Sequence, residues 1–536
     1  MSYNEQKRVW SGPPQSQVSV YKDDTSLGAL IFSTMRNWPK KVCQISDSDG
    51  VRVTAEQALT WAIRMAQFLR TRGLTHKDVI GIVGENTTYL MPLAVACLMN
   101  GTPFHTPHPM LDEDTLRHVL SITKPGLIFC DGNVYQKVYS ATSGWQPDFF
   151  ILTDHLEGVP SIKTLLEPTS TEDSYQPEPL REGGGQTVAI LCSSGTTGLP
   201  KAVCISNNSL LPMSLFTSDT ILFTLTALDW QSGLVAFIVS TVVGGTRIIT
   251  NKPFTPEYVA QLVDKHGVNF IYLAPRHMSA VFNSPDVTPE AFASLRKVSY
   301  GGGQLSGSTV QRCQDICHNA ILLSMYGLTE TGTVATCVGL QPGNPGGRLL
   351  PGVAVRIVNK EGRNLKQNQV GEIQVHTGRV WKGYFGNHEA TESMQDTEGW
   401  FHTGDLGYVD EQNLLYIVDR CKEILKYQAV HFWPSEIENV ILELNEVQEV
   451  CVIGIPNELT DDDAGALVVR RKGAIISAQE IVDHVAQRLP GVHKQLHAGV
   501  QFTNELPSNL NGKTVRRASR DQFIAKKYSN TSIRTR

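Results

Sequence analysis

No apolar run in this sequence is long enough to cross a bilayer. The longest, residues 91–99 and 234–243, fall well short of the roughly twenty residues that a membrane helix needs. The N-terminal stretch MSYNEQKRVWSGPPQSQ contains no apolar core, so no secretory leader is expected. Cysteine is sparse, ten in 536 residues, and the nearest pair is Cys313 and Cys317. Without a Cys-x-x-Cys pair, a zinc ribbon or disulfide scaffold is disfavoured, and reduced, mostly buried thiols in an intracellular compartment are expected. There is no basic excess either. Lys and Arg number 47 against 52 Asp and Glu, a net charge of -5, which argues against a general nucleic-acid binder. Internal repeats and low-complexity tracts are also lacking.

What is present describes a globular chain with ample core, 41% hydrophobic and 18% charged. Its length suits one large domain plus a small one. Residues 1–26 are polar and read as extended. Thr54 followed by Gln57 forms a capping-box pattern. It opens a helix that places Ala58, Trp61, Ala62, Met65 and Leu69 on one face and ends at Gly73. Strands over 78–84, from 101 and over 126–130 alternate with helices over 88–99 and 112–123. This alternation predicts an α/β fold, with parallel sheets covered by helices. Residues 168–186 read as a surface loop. Further strands are expected at 268–274, from 297 and over 321–325. Past residue 420 the pattern becomes a smaller α+β module. Its expected helices cover 434–444 and 478–488, with strands at 447–454, 466–470 and 499–503.

The chemistry concentrates in the stretch TVAILCSSGTTGLPKAV, residues 187–203. An apolar, β-branched strand breaks into Ser193, Ser194, Gly195, Thr196, Thr197 and Gly198, followed by Pro200 and Lys201. The glycines allow close backbone approach, the hydroxyls and N–H groups can surround an anion, and Lys201 adds positive charge. That is the makeup of a polyphosphate-gripping loop. It is not a Walker loop, because no Gly-Lys-Ser/Thr triplet follows and Pro200 blocks a helix there. Downstream, Gly301-Gly302-Gly303 follows a short strand and would let the backbone lie flat against a planar ligand.

These segments, in this order, resemble the acyl-adenylate-forming enzymes, which include acyl-CoA synthetases, 4-coumarate-CoA ligases and beetle luciferases. SSGTTGLPKAV is similar to their phosphate loop, with Ala202 where the family usually has Gly. GGGQLS, ending at Ser306, is similar to their adenine wall. Tyr326-Gly327-Leu328-Thr329-Glu330 matches their YGLTE motif, and Gly399-Trp400-Phe401-His402-Thr403-Gly404-Asp405 their GW-x-HTGD signature. Leu506-Pro507 through Gly512-Lys513 resembles their lysine-bearing tail. GGRLLPG at 346–352 and Gly383-Tyr384 match turns taken as structural, as is His402.

The resemblance implies a large AMP-binding and acyl-pocket domain over 1–419 and a mobile lid over 420–536, hinged at Lys422. It implies that Tyr326 stacks on adenine, Thr329 bonds the α-phosphate, Glu330 holds Mg²⁺, Asp405 binds ribose with Arg420 nearby, and Lys513 is catalytic. Lys426 matches a lysine presented in a second lid pose. Gln428-Ala429 stands where the family has Lys-Gly beside the pantetheine path. Trp230 aligns with a family His that walls the acyl pocket, and an ordinary core Trp is the other reading. The implied substrates are ATP, CoA and a small-molecule carboxylic acid, either a medium- or long-chain fatty acid or an aryl acid. The implied reaction is acid–thiol ligation through an acyl-adenylate. A luciferase-type monooxygenase and a nucleotide-binding homologue with weakened turnover are the competing readings. The expected compartment is the cytoplasm. The family also occurs in peroxisomes, but the C-terminal residues do not form a Ser-Lys-Leu-type address.

Overall fold

The computed structural model describes residues 1–14, 21–22, 24–193, 199–211, 216–339, 345–509 and 512–533. Among the described residues the strands form four sheets. The first is six-stranded, in the order Ala202–Ser206, Thr187–Cys192, Phe104–His105, Ile80–Val83, Leu127–Cys130, Asp148–Ile151. All its pairings are parallel except that of the Ala202–Ser206 edge. The second has nine strands. Its parallel centre runs Ile321–Leu328, Lys297–Gly301, Phe270–Leu273, Ile221–Thr224, Thr246–Ile249 and Val42–Ser46. Parallel strands need long crossovers, and the helices that supply them cover the sheets.

Local signals act where the sequence places them. Thr54 caps the helix Ala55–Thr71 by accepting from the Gln57 N–H at 3.2 Å. Ala58, Ala62, Met65 and Leu69 are buried on its inner face. The helix Leu90–Asn100 is buried on every side, between the helices Leu27–Asn37 and Ala55–Thr71, which explains its unbroken apolar run.

The third sheet corrects one expectation. Residues 1–26 are not simply an extended tail. Ser2–Asn4 and Val9–Ser11 form a hairpin that joins an antiparallel sheet with Ala354–Val358, Gly371–His376, Phe401–Val409 and Leu415–Arg420. Trp10 anchors it, fully buried and stacked on Tyr3 with ring centroids 4.7 Å apart. The strand beginning at Ile321 is also longer than expected. It runs through Leu328, because pairing with Gly332–Val338 carries it past Met325. Gly327 permits this turnback, since a Cβ there would lie 2.2 Å from the Gly332 carbonyl oxygen.

The fourth sheet contains Val430–Phe432, Leu425–Tyr427, Asp461–Arg470, Val447–Asn457 and Gly499–Thr503. Its apolar clusters, centred on Phe432, Ile437, Val452 and Val468 and on Cys451, Leu467 and Phe523, use only residues from 425 onward. Contacts with the rest of the chain include polar ones. Arg276 meets Ser508 and, at 3.3 Å, Glu505. Arg471 donates to Asn283 at 2.9 Å and to Ser308 at 3.3 Å.

In this sheet the two-residue turn Gln428-Ala429 joins the hairpin strands with φ of 47° and 67°. Both lie in the left-handed region, which glycine enters at no cost and alanine does not. Ala429→Gly is therefore expected to stabilise the protein by about 1 kcal/mol, read as a rise in the urea midpoint. An unchanged or lower midpoint would contradict this account of the turn.

Candidate active site

The phosphate-loop strand Thr187–Cys192 ends at Ser193, and the loop is closed at its neck. The Ser193 N–H donates to the Lys201 carbonyl at 2.8 Å, and the Ser193 hydroxyl accepts from the Lys201 N–H at 3.0 Å. Ser194, Gly195, Thr196, Thr197 and Gly198 lie outside the described residues. Ala202 is buried in a small cluster with Val79 and Ile190, against Phe385, so its methyl group is packed where the family has Gly.

The Lys201 ammonium lies 4.7 Å from the centroid of the Tyr384 ring, and the Tyr384 hydroxyl donates to Glu330 Oε1 at 2.6 Å. Burial first, then the neighbouring Glu330 charge, pushes the Tyr384 phenol well above its usual range. The sequence reading treated Tyr384 as mostly structural. The structure places it between the loop lysine and the YGLTE glutamate, because residue 384 bridges to Val203 on the sheet edge. Tyr384→Phe keeps the ring under Lys201 and removes only the donor to Glu330. A hydrogen bond to a charged group is worth about 1.5–3 kcal/mol, so ATP–pyrophosphate exchange is expected to fall about tenfold or more in kcat/KM. Unchanged exchange would remove Tyr384 from the site.

A second cluster forms at the other end of the same motif. The Tyr326 hydroxyl donates to Asp405 Oδ2 at 2.8 Å, and Arg420 Nε lies 3.4 Å from Asp405 Oδ1. Asp405 and Arg420 face each other across the antiparallel pair Phe401–Val409 and Leu415–Arg420. Asp405 is 6% exposed. Burial raises its carboxyl, while Arg420, Tyr326 and Lys513 oppose the rise. Lys513 reaches this cluster from the tail of the fourth sheet. Its N–H donates to Asn509 Oδ1 at 2.9 Å, and Gly512 beside it faces Arg276, whose Cβ would lie 3.5 Å from a Cβ placed there. Burial, reinforced by Arg420, pulls the Lys513 ammonium down to about 8, against the opposing pull of Asp405 and Glu423.

The five residues Tyr326 to Glu330 thus connect two groups: Lys201, Tyr384 and Glu330 on one side, and Asp405, Arg420 and Lys513 on the other. Thr329 and Glu330 line a cleft together with Gln231, Thr331, Gly332 and Trp381. Gln231 was not anticipated. Trp230, one residue earlier, is half-buried at the start of the helix Gln231–Val242 and does not line this cleft. Gly301 is buried at its strand end, while Gly302 and Gly303 are exposed, Gly302 with φ of 88°. Lys426 pairs with Asp461 at 3.3 Å within the fourth sheet, apart from the groups around Asp405. Lys422 is exposed in the short turn Cys421–Glu423 that joins the third and fourth sheets.

Among the described residues no group of three or more His, Cys, Asp or Glu could hold a metal ion by itself. Glu330 nevertheless fits Mg²⁺, which takes one or two carboxylates and completes its shell with phosphate oxygens and water.

A family profile described as AMP-binding enzyme matches residues 31–385. The chain belongs to the AMP-binding enzyme family. The family's C-terminal domain matches residues 436–513 of this AMP-binding enzyme. It is 28% identical over 514 residues to a probable CoA ligase, CCL5, of Humulus lupulus, with 92% of each chain covered. It is 26% identical to the luciferin 4-monooxygenase of Photinus pyralis, covering 95% of this chain and 96% of the relative. Among solved structures it is similar to ATP-bound MatB from Rhodopseudomonas palustris, with a TM-score of 0.82 and 25% identity over 93% of this chain and 98% of that one. No helix among the described residues is long and apolar enough to cross a membrane.

Proposed function

We propose that this AMP-binding enzyme is an ATP-dependent acid–CoA ligase acting on a medium- or long-chain fatty acid or an aryl carboxylic acid. The observation that carries the reading is Lys513, held by the tail of the fourth sheet beside Asp405 and Arg420 at one end of the Tyr326–Glu330 segment. The similarity to named CoA ligases and to an ATP-bound structure supports it.

In the first step a carboxylate oxygen attacks the α-phosphorus of ATP, and the bond from that phosphorus to the bridging oxygen breaks, releasing pyrophosphate. Both partners are anions, so the site must supply positive charge and positioned donors. Lys201 and the loop hydroxyls serve the phosphates, Thr329 bonds the α-phosphate, and Lys513 covers the charge that develops there. Tyr326 offers its face to adenine, alongside the Gly301-Gly302-Gly303 backbone, and Asp405 takes the ribose hydroxyls with Arg420 nearby. Glu330 would hold Mg²⁺, which supplies charge neutralisation on the phosphates when bound. In the second step the CoA thiol loses its proton and attacks the acyl carbonyl, and AMP departs.

The lid is proposed to span 420–536 and the larger domain 1–419, with the hinge at Lys422. The self-contained apolar clusters of the fourth sheet and its polar contacts favour a body that can swing. In the second pose Lys426 would replace Lys513. A cytoplasmic enzyme is proposed.

The test is ATP–pyrophosphate exchange across carboxylic acids graded in length and aromaticity, followed by CoA thioester yield. Exchange without thioester, with light from luciferin and ATP in air, would favour the monooxygenase reading that the similarity to a luciferin 4-monooxygenase keeps open. No exchange with any acid would overturn the ligase.

A further inference from the structure

Two arginines tie the proposed lid to neighbouring helices of the larger proposed domain. Arg276, in the helix Pro275–Asn283, meets Ser508 and Glu505 on the segment that leads to Lys513. Arg471 makes the reverse contact. It follows the strand Asp461–Arg470 of the fourth sheet and reaches the end of the helix Pro275–Asn283 and the first turn of the helix Gly307–Ile316.

The Arg471 guanidinium is a fork with prongs on both sides. Nε donates to the Val447 carbonyl at 3.2 Å, within the fourth sheet. Nη1 donates to Asn283 Oδ1 at 2.9 Å, and Nη2 to Ser308 Oγ at 3.3 Å. The receiving side is built independently of the arginine. Asn283 Nδ2 donates to the Ser279 carbonyl at 2.9 Å and to Thr309 Oγ1 at 3.1 Å, which leaves its amide oxygen for Arg471. The strand Asp461–Arg470 pairs in parallel with Gly499–Thr503, Val469 opposite Thr503, and the Lys513 segment continues from there. A position fixed at Arg471 is therefore carried through one sheet to the Lys513 tail.

The contact is also weak by construction. All three acceptors are uncharged, whereas a carboxylate would pair with the fork more strongly. Arg312 lies one helical turn beyond Ser308. Burial first, then the Arg312 charge, pulls the Arg471 guanidinium below its usual range, against the pull of Glu446. A lid that must leave between two steps needs a hold that small differences in free energy can undo.

We propose that Arg471 is a positioning residue that pins the lid in the pose presenting Lys513, and that Arg312 sets how readily the pin releases. The proposal rests on the two-pose lid reading and names what balances the poses.

The experiment compares two half-reactions of the full chain. One is ATP–pyrophosphate exchange with the best acid of the graded panel. The other is single-turnover thioester formation from the synthetic acyl-adenylate and CoA. Each reports one pose, so the ratio of their rates follows the equilibrium between poses. A loss of folded protein lowers both rates and leaves the ratio alone. Arg471→Ala should lower the ratio of exchange to thioester formation by about tenfold. Arg312→Glu, which offers Arg471 an exposed carboxylate, should raise it about two- to fivefold. In the double variant with Arg471→Ala that rise should vanish. An unchanged ratio in Arg471→Ala, or a rise from Arg312→Glu that survives without Arg471, would overturn the pin and leave the lid standing so long as Lys513→Ala loses exchange. Exchange retained in Lys513→Ala would overturn both. Should Arg471→Ala not fold, Ser308→Ala, at an exposed position, should lower the ratio and Arg312→Glu raise it, and an unmoved ratio in both would overturn the pin.

Discussion

Lys513→Ala is expected to lower ATP–pyrophosphate exchange by about two to three orders of magnitude, the usual cost of removing one preorganised charge-stabilising donor. ATP binding, measured by calorimetry, should persist. The phosphates and nucleoside keep their own proposed contacts through Lys201, Tyr326 and Asp405, and the missing amine acts where charge develops during reaction. Near-normal exchange in the variant would refute the role.

The pH dependence follows from the same surroundings. Burial and Arg420 hold the Lys513 ammonium at about 8 rather than in the usual lysine range. Below that pH the amine is charged and competent; above it the charge is lost. In the free enzyme kcat/KM for exchange should therefore fall on the alkaline side of about 8, approaching tenfold per pH unit. Bound triphosphate adds negative charge, which raises the amine's pKa, so the corresponding limb in kcat should lie at higher pH. A flat alkaline profile in kcat/KM would contradict the assignment.

The second large effect concerns stability. Arg516, three residues after the lysine, lies in the helix Arg516–Ile533 and connects otherwise separate parts of the proposed lid. Its Nε lies 2.9 Å from Glu423 Oε2, beside the proposed hinge, and its other nitrogens reach Glu438 and the Val452 carbonyl. The side chains of Arg516, Glu423 and Glu438 are 22%, 28% and 17% exposed, so the charges are largely out of water. Removing one partner leaves two half-buried carboxylates without their cation, at a cost approaching the roughly 3–5 kcal/mol of breaking a buried pair. Arg516→Ala should destabilise the lid by that order, read by hydrogen exchange on the strand Val447–Asn457. Arg516→Lys should recover part of the loss, because a point charge cannot reproduce the forked contacts. Protection unchanged in Arg516→Ala would show that the network is dispensable.

Much of this arrangement was legible in the sequence because it is local. The cap at Thr54, the strand-then-hydroxyl pattern at 187–193 and the motif at 326–330 each carry their signal within a few residues. Tyr384 was not legible. Its place between Lys201 and Glu330 depends on residue 384 pairing with Val203, some 180 positions away. Trp10 was missed for a related reason: two three-residue strands at the N terminus acquire meaning only from Ala354–Val358, which they join. Gln231 was not legible either: its place in the cleft beside Thr329 and Glu330 depends on where the helix Gln231–Val242 begins, and pattern alone leaves helix starts uncertain by a residue or two. The strain at Ala429 was visible as a departure in composition, while its sign, φ of 67°, belongs to the tertiary turn.

The most direct test of a lid that brings Lys513 for the first step and must leave for the second is a reversible lock. A Cβ on Gly512 would lie 3.5 Å from the Arg276 Cβ, within the range a disulfide spans, and the strain of a cysteine at its left-handed φ of 72° is common to the oxidised and reduced forms being compared. In the double variant Arg276→Cys, Gly512→Cys, oxidation is predicted to preserve ATP–pyrophosphate exchange relative to the reduced form and to abolish CoA thioester formation, with full recovery on reduction. An oxidised, cross-linked protein that makes thioester as fast as its reduced form would contradict the account.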